Sequence, residues 1–107
     1  MISGDTTYSQ AIIDACHGCD ILIHEATTLE FLAKRPDFQP YSAKYHTNTT
    51  QLAELASKAK PRLLIIYHAS IVLRPALRPQ ASSPEELLKE LSGYSGEVVV
   101  GRDLDVY

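Results

Sequence analysis

The amino-acid sequence predicts an α/β fold with a mainly parallel sheet. Short apolar runs alternate with amphipathic helical patterns, the connections are short, and the strand-like runs are apolar on both faces. The length of 107 residues suits one domain, and 45% hydrophobic with 21% charged residues is typical of a globular chain. We therefore expect residues 1–107 to form a single domain with roughly four strands and about three helices.

Four apolar runs are the candidate strands. Residues 1–4 have the pattern of the end of a strand, residues 21–25 and 63–67 that of complete strands, and residues 98–100 that of a short one. Successive side chains of a strand point to opposite faces, so these runs place apolar side chains on both faces. The sequence therefore predicts a sheet that is buried on both sides.

Three segments have helical patterns. The first keeps the i, i+3, i+4, i+7 spacing from Tyr8 to Cys16, with Thr6 or Thr7 as the expected N-cap. The second begins with a capping box at Asn48 and ends before Pro61, and the third begins at residues 83–84. Residues 28–46 contain two prolines, and we expect mostly loop there, with one helical turn at 29–34.

Cys16 and Cys19 form a Cys-x-x-Cys pair whose role the sequence leaves open. A redox-active pair normally lies at a helix N-terminus, whereas this one follows a helical segment. A structural zinc site needs about four ligands, and the chain has no second cysteine pair. We therefore expect buried or half-buried free thiols, with a metal or redox role as the alternative.

The charge balance bears on partners and location. A net charge of −3 gives no general attraction to nucleic acid or to anionic membranes. No apolar run approaches the roughly 20 residues of a membrane-spanning helix, and the first residues lack a signal-peptide pattern. We therefore expect a cytoplasmic protein without a membrane partner.

Polar residues close the predicted strands. Asp5, His24-Glu25, His68 and Asp103 lie at or just after the ends of the four apolar runs. The carboxyl ends of parallel strands meet at one edge of a sheet, and carboxylate and imidazole groups together suit zinc, manganese or iron. A structural histidine at a strand end and an aspartate that caps a helix are the alternative interpretations of this pattern.

The amino-acid sequences of these segments resemble those of a known family. SGDT at residues 3–6, LIHEAT at 22–27, a His-Thr pair at 46–47 and an apolar strand ending in His68 occur in that order. This succession resembles the C-terminal half of metallo-β-lactamase-fold hydrolases, closest to the ribonuclease Z-like branch. The resemblance implies half of an αββα sandwich, in which two sheets pack face to face with helices outside.

The resemblance also implies roles for individual residues. Asp5 would bridge two metal ions and His68 would be a terminal ligand of zinc, or of manganese or iron. Glu25 would pair with His46 to assist proton transfer to the leaving group, and we expect their side chains roughly 2.6–3.2 Å apart. The supporting residues would be His24 and Thr6. The alternative is that 24–25 is only the solvated end of a strand.

Two departures from the family pattern limit the expected activity. The His-x-His-x-Asp-His loop is absent, and so is a further histidine that normally precedes the SGDT segment. We therefore expect a half-domain or a fragment that holds part of a dinuclear metal site and is inactive alone. Its uncovered sheet face would pack against the missing N-terminal half or form a homodimer. The alternative is that the helices cover both faces.

The substrate is less well specified. Arg74 and Arg78 could hold a substrate phosphate, although arginines in a proline-rich loop are commonly only solvated. The Ser-x-Arg-Tyr segment of the tRNA-processing members is replaced here by other residues, so nucleic acid is a possible substrate but not the favoured one. A non-catalytic association module is the alternative function. The Asp-x-Asp at 103–105 lacks the downstream partners that a phosphatase nucleophile needs.

Overall fold

The computed structural model describes residues 1–68, 83–102 and 104–107. The described residues form eight elements, which are α1 (Gln10–Cys16), β1 (Ile21–Glu25), α2 (Leu29–Lys34), α3 (Gln39–Tyr45), α4 (Thr49–Ala59), β2 (Leu63–Tyr67), α5 (Pro84–Glu90) and β3 (Val98–Val100). Within these ranges no helix has the length and apolar character needed to cross a bilayer.

The strands form a parallel sheet in the order β1-β2-β3. Ile21 pairs with Leu63, and Ile65 pairs with Val99. Beyond β1, Ile2 forms a parallel bridge to Ile23, where the Ile23 N–H donates to the Met1 carbonyl at 2.8 Å. The parallel α/β class is confirmed, and the expected fourth strand corresponds to this single bridge.

One face of the sheet carries the core. Strand residues at alternate positions point toward α1, α4 and α5, whose apolar sides complete the cluster. The fully buried members of this cluster are Leu22, Ala26, Leu52, Leu55, Ala56, Ala59, Leu64, Ile66 and Leu87. Full burial of a leucine side chain stabilises the fold by about 1.5–3 kcal/mol, so this layer holds the helices on the sheet.

The opposite face of the sheet is less covered in the described part of the chain. Ile21 is 38% exposed and Ile23 is half-buried, while Ile65 between the outer strands is 6% exposed. The side chains of Leu63 and Val99 on this face are also half-buried. We refer to these five residues as the open face. All five side chains are apolar, and four of them are exposed or half-buried among the described residues.

Two expectations about helices are corrected by the structure. The turn at 29–34 is present as α2, but residues 39–45, expected to be loop, form the additional helix α3. Pro40 is compatible with this helix because it lies in the first turn, where a backbone N–H has no intrahelical acceptor. The expected Thr6 or Thr7 cap is also wrong, since Ser9 occupies the N-cap of α1 without a side-chain hydrogen bond.

The expectation of free thiols is corrected as well. Cys16 and Cys19 form a disulfide, with their Cα atoms 4.8 Å apart. The backbone reverses between them because His17 and Gly18 both have positive φ, 37° and 79°. The Gly18 N–H also donates to the Ala59 carbonyl at 2.7 Å, which joins the end of α1 to the end of α4. This turn lies at the amino end of β1.

Candidate active site

The four principal site residues lie near the carboxyl edge of the sheet. Glu25 is the last residue of β1, and His68 directly follows β2. His46 is the C-cap of α3, while Asp5 follows the segment that bridges to β1. The sheet is parallel, so the ends of β1 and β2 are neighbours, and the chain brings all four side chains to this edge.

Glu25 is the most constrained of these groups. Its side chain is 1% exposed and accepts three hydrogen bonds. Oε1 accepts from the backbone N–H groups of Thr6 at 3.2 Å and Thr47 at 3.0 Å, and Oε2 lies 3.0 Å from His46 Nδ1. Three converging donors satisfy a buried carboxylate and fix its orientation.

The Glu25–His46 contact defines the tautomer of the imidazole. Oε2 is an acceptor, so His46 Nδ1 carries the proton that it donates. Nε2 is then left available on the other side of the ring. The predicted distance between Glu25 and His46 is confirmed, and the pair has the geometry of an imidazole positioned for proton transfer.

Aromatic rings surround His46. The ring centroids of Tyr41 and Phe38 lie 5.6 Å and 6.3 Å from its imidazole. On another side, the His68 ring lies 6.1 Å away in an edge-on arrangement. His46 is 13% exposed. These contacts limit rotation of the imidazole and place it beside the second pair of site residues.

Asp5 and His68 form that second pair. His68 Nδ1 lies 2.6 Å from Asp5 Oδ1, and the two side chains are 57% and 51% exposed, respectively. Donation from Nδ1 to the carboxylate leaves the Nε2 lone pair of His68 free, which is the tautomer that a metal-ligating histidine uses. The expected juxtaposition of these two residues is present.

The backbone around this pair is unusual. His68 has φ 47°, a conformation that side chains with a Cβ rarely adopt, and Gly4 before Asp5 has φ 69°. Such geometry costs on the order of 1 kcal/mol for a non-glycine residue and is frequent at functional sites. It turns His68 out of the strand direction immediately after Tyr67.

The two supporting residues behave differently. Thr6 supports Glu25 through its backbone N–H, and its carbonyl accepts from Thr47 Oγ1 at 2.6 Å. His24 is fully buried, and its Nδ1 donates to the Glu25 carbonyl at 2.8 Å. Within the described residues its Nε2 has no hydrogen-bond partner. Burial lowers the pKa of His24, against the raising effects of that carbonyl and of the Glu25 charge.

Thr47 is a site residue that the sequence reasoning missed. It is fully buried, its N–H holds Glu25, and its hydroxyl donates to Thr6. The available signal was its position between His46 and the capping residue Asn48. A threonine there was assigned only to the start of the helix.

The fit to a metal is partial. Asp5 and His68 supply oxygen and nitrogen donors of the type that zinc, manganese and iron accept. In the part of the chain that the structure describes, no cluster of three or more histidine, cysteine or acidic side chains could enclose an ion. The predicted phosphate contacts Arg74 and Arg78, as well as Asp103, lie outside the described residues.

Comparison with known proteins identifies relatives. Ribonuclease Z of Anoxybacillus flavithermus is 32% identical over 99% of this chain, and that of Marinobacter nauticus is 29% identical over 100%. The chain spans 30% and 32% of their lengths, so it corresponds to about a third of each relative. No family model matches the sequence.

A solved structure shares the fold. The metallo-β-lactamase fold protein YhfI from Bacillus subtilis matches with a TM-score of 0.72 at 20% identity. The match covers 99% of this chain and 37% of that protein. This polypeptide is therefore similar over nearly its whole length to about a third of ribonuclease Z, and it shares the metallo-β-lactamase fold of the solved structure.

Proposed function

We propose that this chain contributes one part of a metal-dependent hydrolase site, and that it is inactive until the remaining ligands are supplied. The supporting observation is the juxtaposition of two carboxylate–imidazole pairs, Glu25–His46 at 3.0 Å and Asp5–His68 at 2.6 Å. Their imidazole rings lie 6.1 Å apart, so both pairs can act on one substrate.

Glu25 and His46 would handle the proton. The carboxylate holds Nδ1–H, so a proton on Nε2 faces away from Glu25 and is available to a leaving group. The imidazolium would carry this proton in addition to the Nδ1–H that Glu25 accepts. His46 would therefore act as the general acid and Glu25 as the residue that orients it.

Asp5 and His68 would hold a metal ion together with ligands from elsewhere. A zinc, manganese or iron ion bound there would supply an activated water and neutralise charge on the substrate. Dinuclear sites need more ligands than two residues provide, and the relatives are about three times as long as this chain. The substrate of a completed site would be an ester or phosphodiester that needs protonation of its leaving group.

Calorimetric titration with zinc tests the metal assignment. We expect weak binding, well short of the roughly 10–16 kcal/mol of a structural zinc finger, because only two ligands are present. His68→Ala should abolish the heat, whereas His17→Ala, which removes an exposed histidine at the other edge, should not. Reductant is omitted so that Cys16 and Cys19 stay oxidised.

Tight stoichiometric binding that survives His68→Ala would overturn the metal assignment. Loss of binding in both histidine variants would also count against it, since His17 takes no part in the proposed site.

The open face is the proposed site of association. Exposed and half-buried apolar side chains on a sheet are expected to be covered by another layer. We propose that this layer is a further part of the same protein, or a second copy of the chain when that part is missing. Sedimentation of the isolated chain at micromolar concentration should then give dimers or larger species.

Two substitutions separate the open face from the helical surface. Ile21 on the open face and Leu88 on α5 are equally exposed, at 38%. Ile21→Asp should shift the chain toward monomer, whereas Leu88→Asp should leave the sedimentation unchanged. A wild-type chain that is monomeric throughout would refute the association. Association without any zinc binding would instead favour a non-catalytic module.

A further inference from the structure

Glu90, at the end of α5, makes an unusual set of contacts. Its Oε1 accepts from the Leu29 N–H and from Thr49 Oγ1, both at 2.6 Å, and its Oε2 accepts from the Glu30 N–H at 3.2 Å. These donors belong to the first residues of two other helices, α2 and α4. A single carboxylate therefore connects the beginnings of α2 and α4 to the end of α5.

The two segments that Glu90 joins also carry the proton-transfer pair. Residues 25–29 run from Glu25 to the start of α2, and residues 46–49 run from His46 to the start of α4. Between them the Thr27 N–H donates to the Thr47 carbonyl at 2.9 Å, and the Thr49 N–H donates to the Thr27 carbonyl at 3.1 Å. At one end of this short ladder the Thr47 N–H holds Glu25.

Glu90 closes the other end of the ladder. Beyond Thr27 and Thr49 the two segments continue into helices, and the Glu90 carboxylate bridges Leu29 to Thr49 there. Thr49 is fully buried, so without the Glu90 carboxylate its hydroxyl could not donate to a water molecule instead. Hydrogen bonds to a charged acceptor are about twice as strong as neutral ones, so the Glu90 carboxylate holds the two segments together strongly.

We infer that Glu90 is a positioning residue, which holds segments 25–29 and 46–49 in the register that lets Glu25 orient His46. This inference rests on the proposed function for its meaning, but the geometry can be measured without hydrolysis. Removal of the carboxylate frees both segments at one end, and the Glu25–His46 contact at the other end loses its fixed distance.

The test measures the imidazole tautomer of His46 in the intact chain. A long-range proton–nitrogen NMR spectrum separates the Nδ1–H form, which the Glu25 contact enforces, from the mixture found in an unrestrained histidine. We expect the Nδ1–H form in the wild type and a shift toward the mixture in Glu90→Ala. Glu90→Gln keeps one acceptor oxygen, so its fraction of the Nδ1–H form should lie between those of the wild type and Glu90→Ala.

Two control variants exclude a general effect on stability or charge. Ile12→Ala weakens the core from α1, outside segments 25–29 and 46–49, and this variant should keep the wild-type tautomer at temperatures where it is folded. Glu54→Gln removes an exposed carboxylate that pairs with Lys58, and this variant should also keep the wild-type tautomer of His46. Thr49→Val removes only the hydroxyl donor and serves if Glu90→Ala does not fold.

A wild-type tautomer in Glu90→Ala, or in Thr49→Val where Glu90→Ala does not fold, would overturn the inference, and so would the same shift in Ile12→Ala. This outcome is independent of the zinc titration, which tests the other half of the proposed site. A failed titration with a shifted tautomer would remove the hydrolase proposal and leave Glu90 as a positioning residue for the Glu25–His46 contact.

Discussion

The two carboxylate–imidazole pairs differ in how completely this chain surrounds them. Glu25 is 1% exposed and held by three donors, and His46 is packed among rings. Asp5 and His68 are both more than half exposed and bonded to each other. The Glu25–His46 pair, which we propose for proton transfer, is thus held within the described part of the chain, whereas the Asp5–His68 pair is open to further partners. This difference is expected if residues from elsewhere complete only the Asp5–His68 pair, for which we propose metal binding.

Removal of the Glu25 carboxylate should have the largest effect on stability. Glu25→Ala leaves the buried Thr47 N–H, the part-buried Thr6 N–H and His46 Nδ1 without their acceptor, and we expect a loss of about 3 kcal/mol in the free energy of unfolding. Urea denaturation followed by circular dichroism measures it. Asp5→Ala, at the exposed pair, should lose less than about 1 kcal/mol. Equal losses would erase the distinction between the two pairs.

The disulfide should have a smaller effect, confined to the other edge of the sheet. A bridge between Cys16 and Cys19 closes a very short loop, and the chain-entropy model gives it about 2 kcal/mol. Urea denaturation with and without dithiothreitol measures this difference. Reduction should leave the His46 tautomer unchanged, because the bridge lies at the amino end of β1. Free thiols in the oxidised chain by mass spectrometry would contradict the bridge.

The pH dependence of stability should report on His24. Burial lowers its pKa in the folded state, so above about pH 6.5 the group is neutral in both states and has no effect. Below that pH His24 binds a proton in the unfolded chain but stays neutral in the folded chain. Stability should then fall by up to about 1.4 kcal/mol per pH unit, until the pH reaches the lowered pKa.

Denaturant midpoints between pH 7.5 and 5 measure this dependence. His24→Leu should flatten the profile, and His17→Leu, at an exposed histidine, should retain its slope. An unchanged slope in His24→Leu would assign the dependence to another group.

Periodicity predicted the secondary structure where local patterns decide it. The apolar spacing of α4 and its capping box at Asn48 are both present. The sequence does not predict α3, because proline disfavours the interior of a helix and the pattern does not show that Pro40 lies in a first turn. The disulfide was missed because it depends on a backbone reversal at His17, a residue that rarely takes positive φ.

The site was predictable to a different degree. The contact of Glu25 with His46 followed from the family resemblance, since spacing along the chain does not require it. The role of Glu90 had no sequence signal, because its partner Leu29 is 61 residues away and sequence patterns report only near neighbours. Contacts of this kind depend on how the helices pack on the sheet.

The chain separation within each pair has a consequence for the order of folding. Glu25 and His46 are 21 residues apart, whereas Asp5 and His68 are 63 apart. Loop-closure entropy rises with the logarithm of length, so the second contact costs about 1 kcal/mol more to close. We therefore expect the Glu25–His46 pair to assemble first during folding. A partly folded chain would then already orient His46 before the Asp5 and His68 side chains meet.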